Sequence, residues 1–172
     1  IRFFTALAIV FFAFKYIKTK DFFKFILFVY LASLFHTSAL IAVFMYFFSR
    51  INLSFFRLLF LCFLAMVTSK FANVIVVNKF PEYAVYTEES VVREGTLAIY
   101  FFGLVLLFSM PFLERINKNL VAKLYFNCFV FGFLIYISFY GQGSMSHRLS
   151  LFGTIFSILL LPQLIGYFKK NK

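Results

Sequence analysis

Six apolar segments separated by short polar links occupy nearly the whole chain of 172 residues. They cover residues 3–16, 25–48, 58–77, 96–113, 124–140 and 149–168. A membrane-spanning helix needs about 20 consecutive apolar residues, and most of these segments approach that length. The hydrophobic share of the chain is 63% and the charged share is 13%, whereas soluble domains are nearer to a half and a quarter. The sequence therefore excludes a soluble globular domain and indicates a membrane protein with several spans.

The apolar segments predict helices, because none of them alternates apolar and polar residues as a strand does. We expect an all-α, polytopic membrane protein with about five full spans and one broken or re-entrant helix pair. Residues 1–172 are expected to form a single transmembrane domain. The chain opens on Ile1 and Arg2, directly before an apolar segment. We therefore expect it to be the C-terminal part of a longer protein.

Charge is distributed unevenly along the chain, which has a net charge of +11. The basic residues cluster between or after apolar segments, in residues 15–24, 50–57, 115–123 and 169–172. Residues 78–95 hold four of the six acidic residues. Cytoplasmic loops of membrane proteins carry an excess of lysine and arginine. The pattern therefore predicts cytoplasmic basic loops and C-terminus, external loops at 78–95 and 141–148, and no nucleic-acid partner.

This orientation requires the chain to turn back within residues 25–48. If that segment crossed once, as one long tilted helix, the basic link 15–24 would lie outside, against the charge rule. A polar cluster lies at its centre: Ser33, His36, Thr37 and Ser38. Non-helical backbone inside a membrane is tolerated where protein or a watery cavity satisfies it. Of the two alternatives, we favour a helix that breaks at this cluster, dips in and returns.

The candidate functional site consists of polar groups predicted to face the external side. The catalytic candidates are Arg2, His36 and Arg148, placed at the first helix start, the break and the last helix start. The substrate-binding candidates lie in the two external loops: Tyr83, Tyr86, Glu88, Glu89, Arg93 and His147. An ionisable residue in a membrane segment indicates a functional site. The alternatives are headgroup anchoring for arginine, an interhelical hydrogen bond for histidine, and interface positions for tyrosine.

Common catalytic and nucleotide-binding motifs are absent from the sequence. It contains no CxxC, HExxH, GxGxxG, GxxxxGK[ST] or GxSxG pattern. Cys62 and Cys128 stand alone within apolar segments, and we expect them to be reduced and buried. No metal site is therefore predicted.

The sequence around His36 resembles a known family. Arg2 leads an apolar helix that ends in lysines. Residues 31–41 then read LASLFHTSALI, which spaces Ala32, His36 and Ser38 as the family pattern does. Together these features resemble the EpsG family, which comprises polytopic bacterial membrane proteins of exopolysaccharide and capsule synthesis, similar in role to Wzy-type polymerases.

The late part of the chain is also similar to that family. Arg148 opens a helix that is expected to end at Pro162, as in the family's closing motif. Two positions depart from the pattern. Phe3 stands where the family often has Gln, and residues 151–152 are Leu-Phe where it often has an aromatic pair.

The resemblance implies a polymerase of lipid-linked oligosaccharide repeat units in the bacterial inner (cytoplasmic) membrane. The donor glycan would be carried on undecaprenyl diphosphate in the outer leaflet, and the acceptor would be another lipid-linked unit. Such an enzyme uses no nucleotide sugar, no cofactor and no metal. Its partners would be this lipid-linked oligosaccharide, membrane lipid and other polysaccharide-synthesis proteins.

The candidate residues fit that chemistry. Arg2 and Arg148 would bind the diphosphate through planar, permanently charged guanidinium groups, aided by helix N-terminal dipoles. His36 would take the proton of the acceptor hydroxyl, since its pKa is ordinarily near neutrality. Glu88, Glu89 or Glu94 is the alternative base, because carboxylates serve this role in sugar transfer. The loop tyrosines would stack on sugar rings.

Two other functions remain open from the sequence. One is a transporter or flippase of the same lipid-linked sugar, which would also use cations and a broken helix. It would need cationic residues along a path through both leaflets, and the halves of the segments nearer the cytoplasm are almost free of charge. The other is a non-enzymatic membrane scaffold. The sugar, the linkage, the stereochemical outcome and the oligomeric state are not predicted.

Overall fold

The computed structural model describes residues 1–79, 89–142 and 144–169, with side chains described outside 72–96. All regular structure in these ranges is helical, which confirms the all-α prediction. The α-helices are α1 (Arg2–Lys18), α2 (Phe22–Phe35), α3 (Ala42–Phe48), α4 (Phe55–Lys79), α5 (Glu89–Ser109), α6 (Leu113–Lys118), α7 (Leu120–Ser138), α8 (Ser144–Thr154) and α9 (Ser157–Lys169). Two short 3-10 helices, Thr37–Ile41 and Met110–Phe112, lie between them.

Fewer full spans are present in the described ranges than the five expected. Two helical segments are long and apolar enough to cross a membrane, Leu97–Lys118 and Leu120–Ser138. A third span is possible if α8 and α9, which bend by 49° at their junction, act as one. The apolar segment 149–168 therefore belongs to two helices that meet at an angle, and not to one continuous helix. Successive i to i+3 backbone bonds at this junction, such as Phe156 N–H to Gly153 O at 3.0 Å, replace the α-helical pattern.

The segment 25–48 is a broken helix pair, as predicted. Helix α2 ends at Phe35, and His36 has extended backbone dihedrals (φ −156°, ψ 119°) before the 3-10 turn and α3. The Phe22 ring, at the start of α2, lies 5.5 Å from the Phe47 ring, near the end of α3. The two arms therefore run back along each other. We name residues 22–48 the hairpin and His36 its tip.

The turn before the hairpin is fixed by local polar contacts. Lys20 adopts the left-handed conformation (φ 63°). Asp21 then caps α2 by accepting a hydrogen bond from Lys24 N–H at 3.1 Å, and its other carboxylate oxygen lies 2.8 Å from Lys24 Nζ. These bonds from Lys24 lower the pKa of the Asp21 carboxyl below its ordinary value.

Helix α7 is the central element of the fold. More than half of its residues are buried, and it contacts α4, α6, α8 and α9. Its closest neighbour is α8, which meets it at Gly132 and Gly153. A Cβ on Gly132 would lie 2.4 Å from Thr154 N, and one on Gly153 would lie 2.4 Å from Cys128 O. Only glycine allows the two backbones to approach this closely.

Four basic segments lie together at one end of the bundle, here named the basic end: residues 15–24, 50–57, 115–123 and Lys169. Four contacts tie them together: Tyr46 Oη to Lys20 O (2.9 Å), Lys123 Nζ to Asn52 Oδ1, Asn117 Nδ2 to Leu53 O (2.9 Å), and the ring pair Phe112–Phe168 (4.6 Å). This grouping is what the charge pattern and the broken segment together predicted. It requires the hairpin, since a single straight helix over 25–48 would separate the first two segments.

Both predicted external loops are shorter than the sequence suggested. Helix α5 already begins at Glu89, so residues 89–95 belong to a helix instead of a loop. Helix α8 begins at Ser144, so His147 and Arg148 lie inside it instead of before it. In both places the loop boundary was predicted from the polar residues. A helix can nevertheless begin in a polar stretch that has no proline. Pro162 likewise lies within α9 and does not end it.

Candidate functional site

The hairpin tip is built around the His36 side chain. Its Nδ1 accepts a hydrogen bond from Ser38 N–H at 3.3 Å and lies 2.6 Å from Ser38 Oγ. The imidazole thus caps the 3-10 helix Thr37–Ile41 in the way that Asp and Asn side chains cap helices. His36 therefore terminates α2, starts the returning arm and keeps its ring half-buried at the tip.

These bonds determine the tautomer of His36. A backbone N–H can only donate, so Nδ1 is the acceptor and the neutral ring carries its proton on Nε2. The Ser38 hydroxyl is then oriented to donate to Nδ1. The Nε2–H group makes no hydrogen bond within the described residues. The tip therefore offers one N–H donor and one relay, Ser38 Oγ to Nδ1, to a molecule that approaches it.

Phe3 connects the tip with two other helices. The centroid of its ring lies 5.3 Å from the His36 ring and 5.6 Å from the Phe152 ring, edge-on in both cases. Phe3 follows Arg2 in α1, and Phe152 lies one turn after Arg148 on the same face of α8. The helices that carry the three catalytic candidates therefore meet around one aromatic ring. We name this region the histidine end; it is opposite the basic end, where α1 finishes.

Both arginines at the histidine end are exposed. Arg2 begins α1, as predicted, whereas Arg148 is the fifth residue of α8 and not its first. The expected support from a helix N-terminal dipole therefore applies to Arg2 and much less to Arg148, since that effect fades within one turn. Within the described residues neither guanidinium group forms an ion pair or donates a hydrogen bond. All of their donors are available to an anion.

The remaining candidates are not brought into this cluster. His147 is exposed next to Arg148, and its backbone carbonyl accepts a bond from Ser150 Oγ at 3.0 Å. Glu89 and Arg93 lie on α5, but their side chains are outside the described part. The other three loop candidates, Tyr83, Tyr86 and Glu88, lie entirely outside the described residues.

Sequence reasoning missed two residues that build this region. Phe3 was noticed only as a departure from the family pattern, although it joins three elements at the histidine end. Asn127 is fully buried in α7, and its Nδ2 donates to Ser49 O at 2.8 Å and to Ile51 O at 2.7 Å. It thereby holds the end of the returning arm. An asparagine in the middle of an apolar segment was the available signal, because such a group needs a partner in the fold.

Two free cysteines, Cys62 and Cys128, lie in the described ranges. Cys128 is buried, Cys62 is half-buried, and neither forms a disulfide. The described side chains contain no group of three histidine, cysteine, aspartate or glutamate residues that could hold a metal ion. The chemistry available at the histidine end is therefore that of guanidinium, imidazole and hydroxyl groups.

Comparison with known proteins places the chain at the level of its family. No curated protein and no solved structure matches it. One family model matches residues 1–172. The apolar helices agree with that match. The chain belongs to the EpsG family of membrane proteins of polysaccharide biosynthesis.

Proposed function

We propose that this protein polymerises oligosaccharide repeat units carried on undecaprenyl diphosphate. One observation carries the proposal: the helices that bear Arg2, His36 and Arg148 meet around the Phe3 ring at the histidine end. The leaving group of this reaction is a diphosphate and the attacking group is a sugar hydroxyl. The reaction therefore needs fixed positive charge and a group that moves a proton, and both are available in this region.

The two arginines are proposed to hold the diphosphate. A guanidinium group pairs with phosphate oxygens through two parallel N–H donors and keeps its charge at every relevant pH. Arg2 and Arg148 have no competing carboxylate among the described residues. Their positive charge would stabilise the negative charge that develops as the glycosidic C–O bond to the diphosphate breaks.

His36 is proposed to transfer one proton in the course of the reaction. The acceptor hydroxyl gives its proton to Ser38 Oγ while the Ser38 proton passes to His36 Nδ1. The deprotonated oxygen bonds to the anomeric carbon of the donor sugar, and the diphosphate leaves. The imidazolium then gives its Nε2 proton to the departing phosphate oxygen, which restores the neutral ring with its proton on Nδ1. Proton exchange with water returns it to Nε2.

The orientation and the remaining site residues are part of the same proposal. The histidine end would face the exterior of the bacterial inner membrane and the basic end the cytoplasm, as the charge rule favours. Arg93, Tyr83, Tyr86, Glu88, Glu89 and His147 would contact the sugars. Lipid-linked oligosaccharide and other polysaccharide-synthesis proteins would be the partners.

Polymer length in the host strain tests the proposal. We would compare the gene intact, deleted, and carrying Arg148→Ala, with Lys18→Ala as the control. Lys18 is an exposed cation at the basic end, so its loss removes the same charge far from the histidine end. We expect Arg148→Ala to match the deletion, with single lipid-linked repeats in place of a long ladder. Lys18→Ala should keep the ladder.

Other outcomes identify the other functions. Accumulation of lipid-linked units on the inner leaflet would assign the protein to transport. An unchanged ladder in the deletion strain would exclude a polymerase, and a ladder lost with the deletion but normal in all arginine and histidine variants would indicate a scaffold. Membrane insertion of each variant, measured by its level in isolated membranes, separates loss of activity from loss of protein.

A further inference from the structure

A cavity of about 620 Å³ opens at the basic end, between the α6–α7 junction and the end of α9. Arg115, Lys118 and Asn119 line it from the junction, and Tyr167 lines it from α9. The Asn119 Oδ1 already accepts hydrogen bonds from Val121 N–H (3.0 Å) and Ala122 N–H at the start of α7. Its amide therefore has only N–H donors left. The four described residues of the lining thus all carry N–H or O–H donors, and none of them is a carboxylate.

These donors lack partners in the described structure. Among the described residues, no carboxylate lies within salt-bridge distance of Arg115 or Lys118, and Glu114, which precedes Arg115, is exposed. The Tyr167 hydroxyl oxygen is buried without a hydrogen bond. A buried polar group without a partner is unfavourable. The site therefore lacks an acceptor, and its two positive charges require that acceptor to be an anion.

The side chains that line the cavity favour a phosphate group as the ligand. A guanidinium fork, an ammonium, an amide and a hydroxyl together match the several oxygens of a phosphate group better than the two of a carboxylate. Exposed apolar side chains follow two of the lining residues in the sequence: Leu120, after Asn119, is 55% exposed, and Phe168, after Tyr167, is 46% exposed. A ligand with a phosphate and hydrocarbon chains would contact both kinds of surface.

We propose that this cavity binds the phosphate group of an anionic phospholipid. Basic pockets between membrane helices on the cytoplasmic side of membrane proteins bind anionic lipid headgroups. The acyl chains would lie along the exposed Leu120 and Phe168 side chains. The lipid would lie between the α6–α7 junction and α9. Phe112, in the 3-10 helix before α6, already packs against the Tyr167 and Phe168 rings of α9. This site is separate from the histidine end and does not depend on the proposed polymerase activity.

Lipid retention by the intact purified protein tests this inference. We would count bound lipids by native mass spectrometry after adding phosphatidylglycerol or phosphatidylcholine. The test variant is Arg115→Gln with Lys118→Gln. The control is Lys15→Gln with Lys18→Gln, which removes the same charge from the basic end away from the cavity. We expect phosphatidylglycerol affinity to fall about 30-fold in the test variant, or about fivefold per cation, from about 1 kcal/mol each. It should stay nearly unchanged in the control.

A second variant and a soluble competitor make the test specific. Tyr167→Phe removes only one hydroxyl, and we expect binding of phosphatidylglycerol to weaken by about tenfold or more, the effect of one hydrogen bond to a charged group. Equal losses in the test and control variants would overturn the proposal, because they would mean general surface attraction. So would equal binding of the two lipids. Binding of inorganic phosphate alone, with the same dependence on Arg115 and Lys118 and no lipid retention, would reject the lipid as the source.

Discussion

The α7–α8 pair and the hairpin are both formed by consecutive helices that turn back on each other, but different groups hold them together. At the α7–α8 crossing, Gly132 and Gly153 bring the two backbones into contact, with no space for a methyl group. The hairpin arms are separated by aromatic rings, including Phe22, Phe47 and Tyr46. The arms are tied to the rest of the fold by the packing of α2 against α1 and by polar bonds at the base.

This difference gives the two regions different roles. The α7–α8 pair supports the fold, and the hairpin presents polar groups to a ligand. The α7–α8 pair has one tight geometry, because any added atom meets backbone that cannot move aside. The hairpin has a fixed base and a polar tip, where His36 and Ser38 satisfy each other and leave donors for a ligand. The helix can therefore break at the tip, because the α7–α8 crossing and the base of the hairpin hold the surrounding helices in place.

The largest loss of stability is expected from adding a methyl group at the α7–α8 crossing. We expect Gly132→Ala or Gly153→Ala to lower the free energy of unfolding by about 2 kcal/mol or more, since the new Cβ would overlap backbone atoms. The thermal midpoint in detergent should fall by about 4–8 °C.

Two other helical glycines provide matched controls for that prediction. A Cβ on Gly103 or Gly166 would meet nothing within 4 Å. Gly103→Ala and Gly166→Ala should therefore keep the midpoint or raise it, because alanine favours helix over glycine by up to about 1 kcal/mol. Similar losses in all four variants would show that the close approach is not what holds α7 to α8.

The base of the hairpin should be the next most sensitive place. Asn127→Leu removes the Nδ2 donor shared by the carbonyls of Ser49 and Ile51 and leaves them buried without that partner. We expect a loss of about 1–3 kcal/mol, measured as the same thermal midpoint. Asn117→Leu, which removes a single bond to Leu53 O, should cost less. The reverse order would argue that Asn127 does not anchor the returning arm.

A smaller effect is expected from the second tie at the base. Tyr46→Phe keeps the ring, which is 3% exposed, and removes only the hydroxyl that donates to Lys20 O at 2.9 Å. The expected cost is about 0.5–1.5 kcal/mol. Tyr30→Phe is the control, because Tyr30 is 57% exposed on the same hairpin and its hydroxyl makes no hydrogen bond within the described residues. It should be neutral within measurement error.

The smallest effect is expected from lowering the pH. Acid acts on the turn before the hairpin and not on the glycine crossing. The bonds from Lys24 lower the pKa of Asp21 in the folded protein below its ordinary value of 3.8. Their stabilising contribution is complete above that ordinary value and is lost as the pH falls through the lowered one. We expect the thermal midpoint of Asp21→Asn to fall slightly less than that of the unaltered protein as the pH drops below 4. Parallel curves would contradict this assignment.

Much of the hairpin could be predicted from the sequence. The polar cluster around His36 located the break, and the charge rule required the chain to return, because only then do all four basic segments share one side. Both inferences use features that lie close together along the chain. The start of α1 at Arg2 was also predicted, because apolar residues follow it immediately.

The glycine crossing and the asparagine anchor could not be predicted in the same way. Gly132 meets residues 150–154 and Asn127 meets residues 48–51 only after the helices pack. A single sequence carries no record of which helices become neighbours. The starts of α5 and α8 were misplaced for a different reason. Polarity marks the membrane boundary, whereas helical hydrogen bonding continues beyond it.

The short arms of the hairpin also have a consequence for the lipid around them. Helix α2 has 14 residues, so it is about 21 Å long at 1.5 Å per residue, whereas the hydrocarbon layer of a bilayer is about 30 Å thick. A short helix draws the two bilayer surfaces towards each other, at a modest cost in elastic energy. We expect a local thinning beside the hairpin, where water and headgroups approach His36. A lipid carrier with a large polar head would then meet the histidine in a shallow depression of the membrane surface.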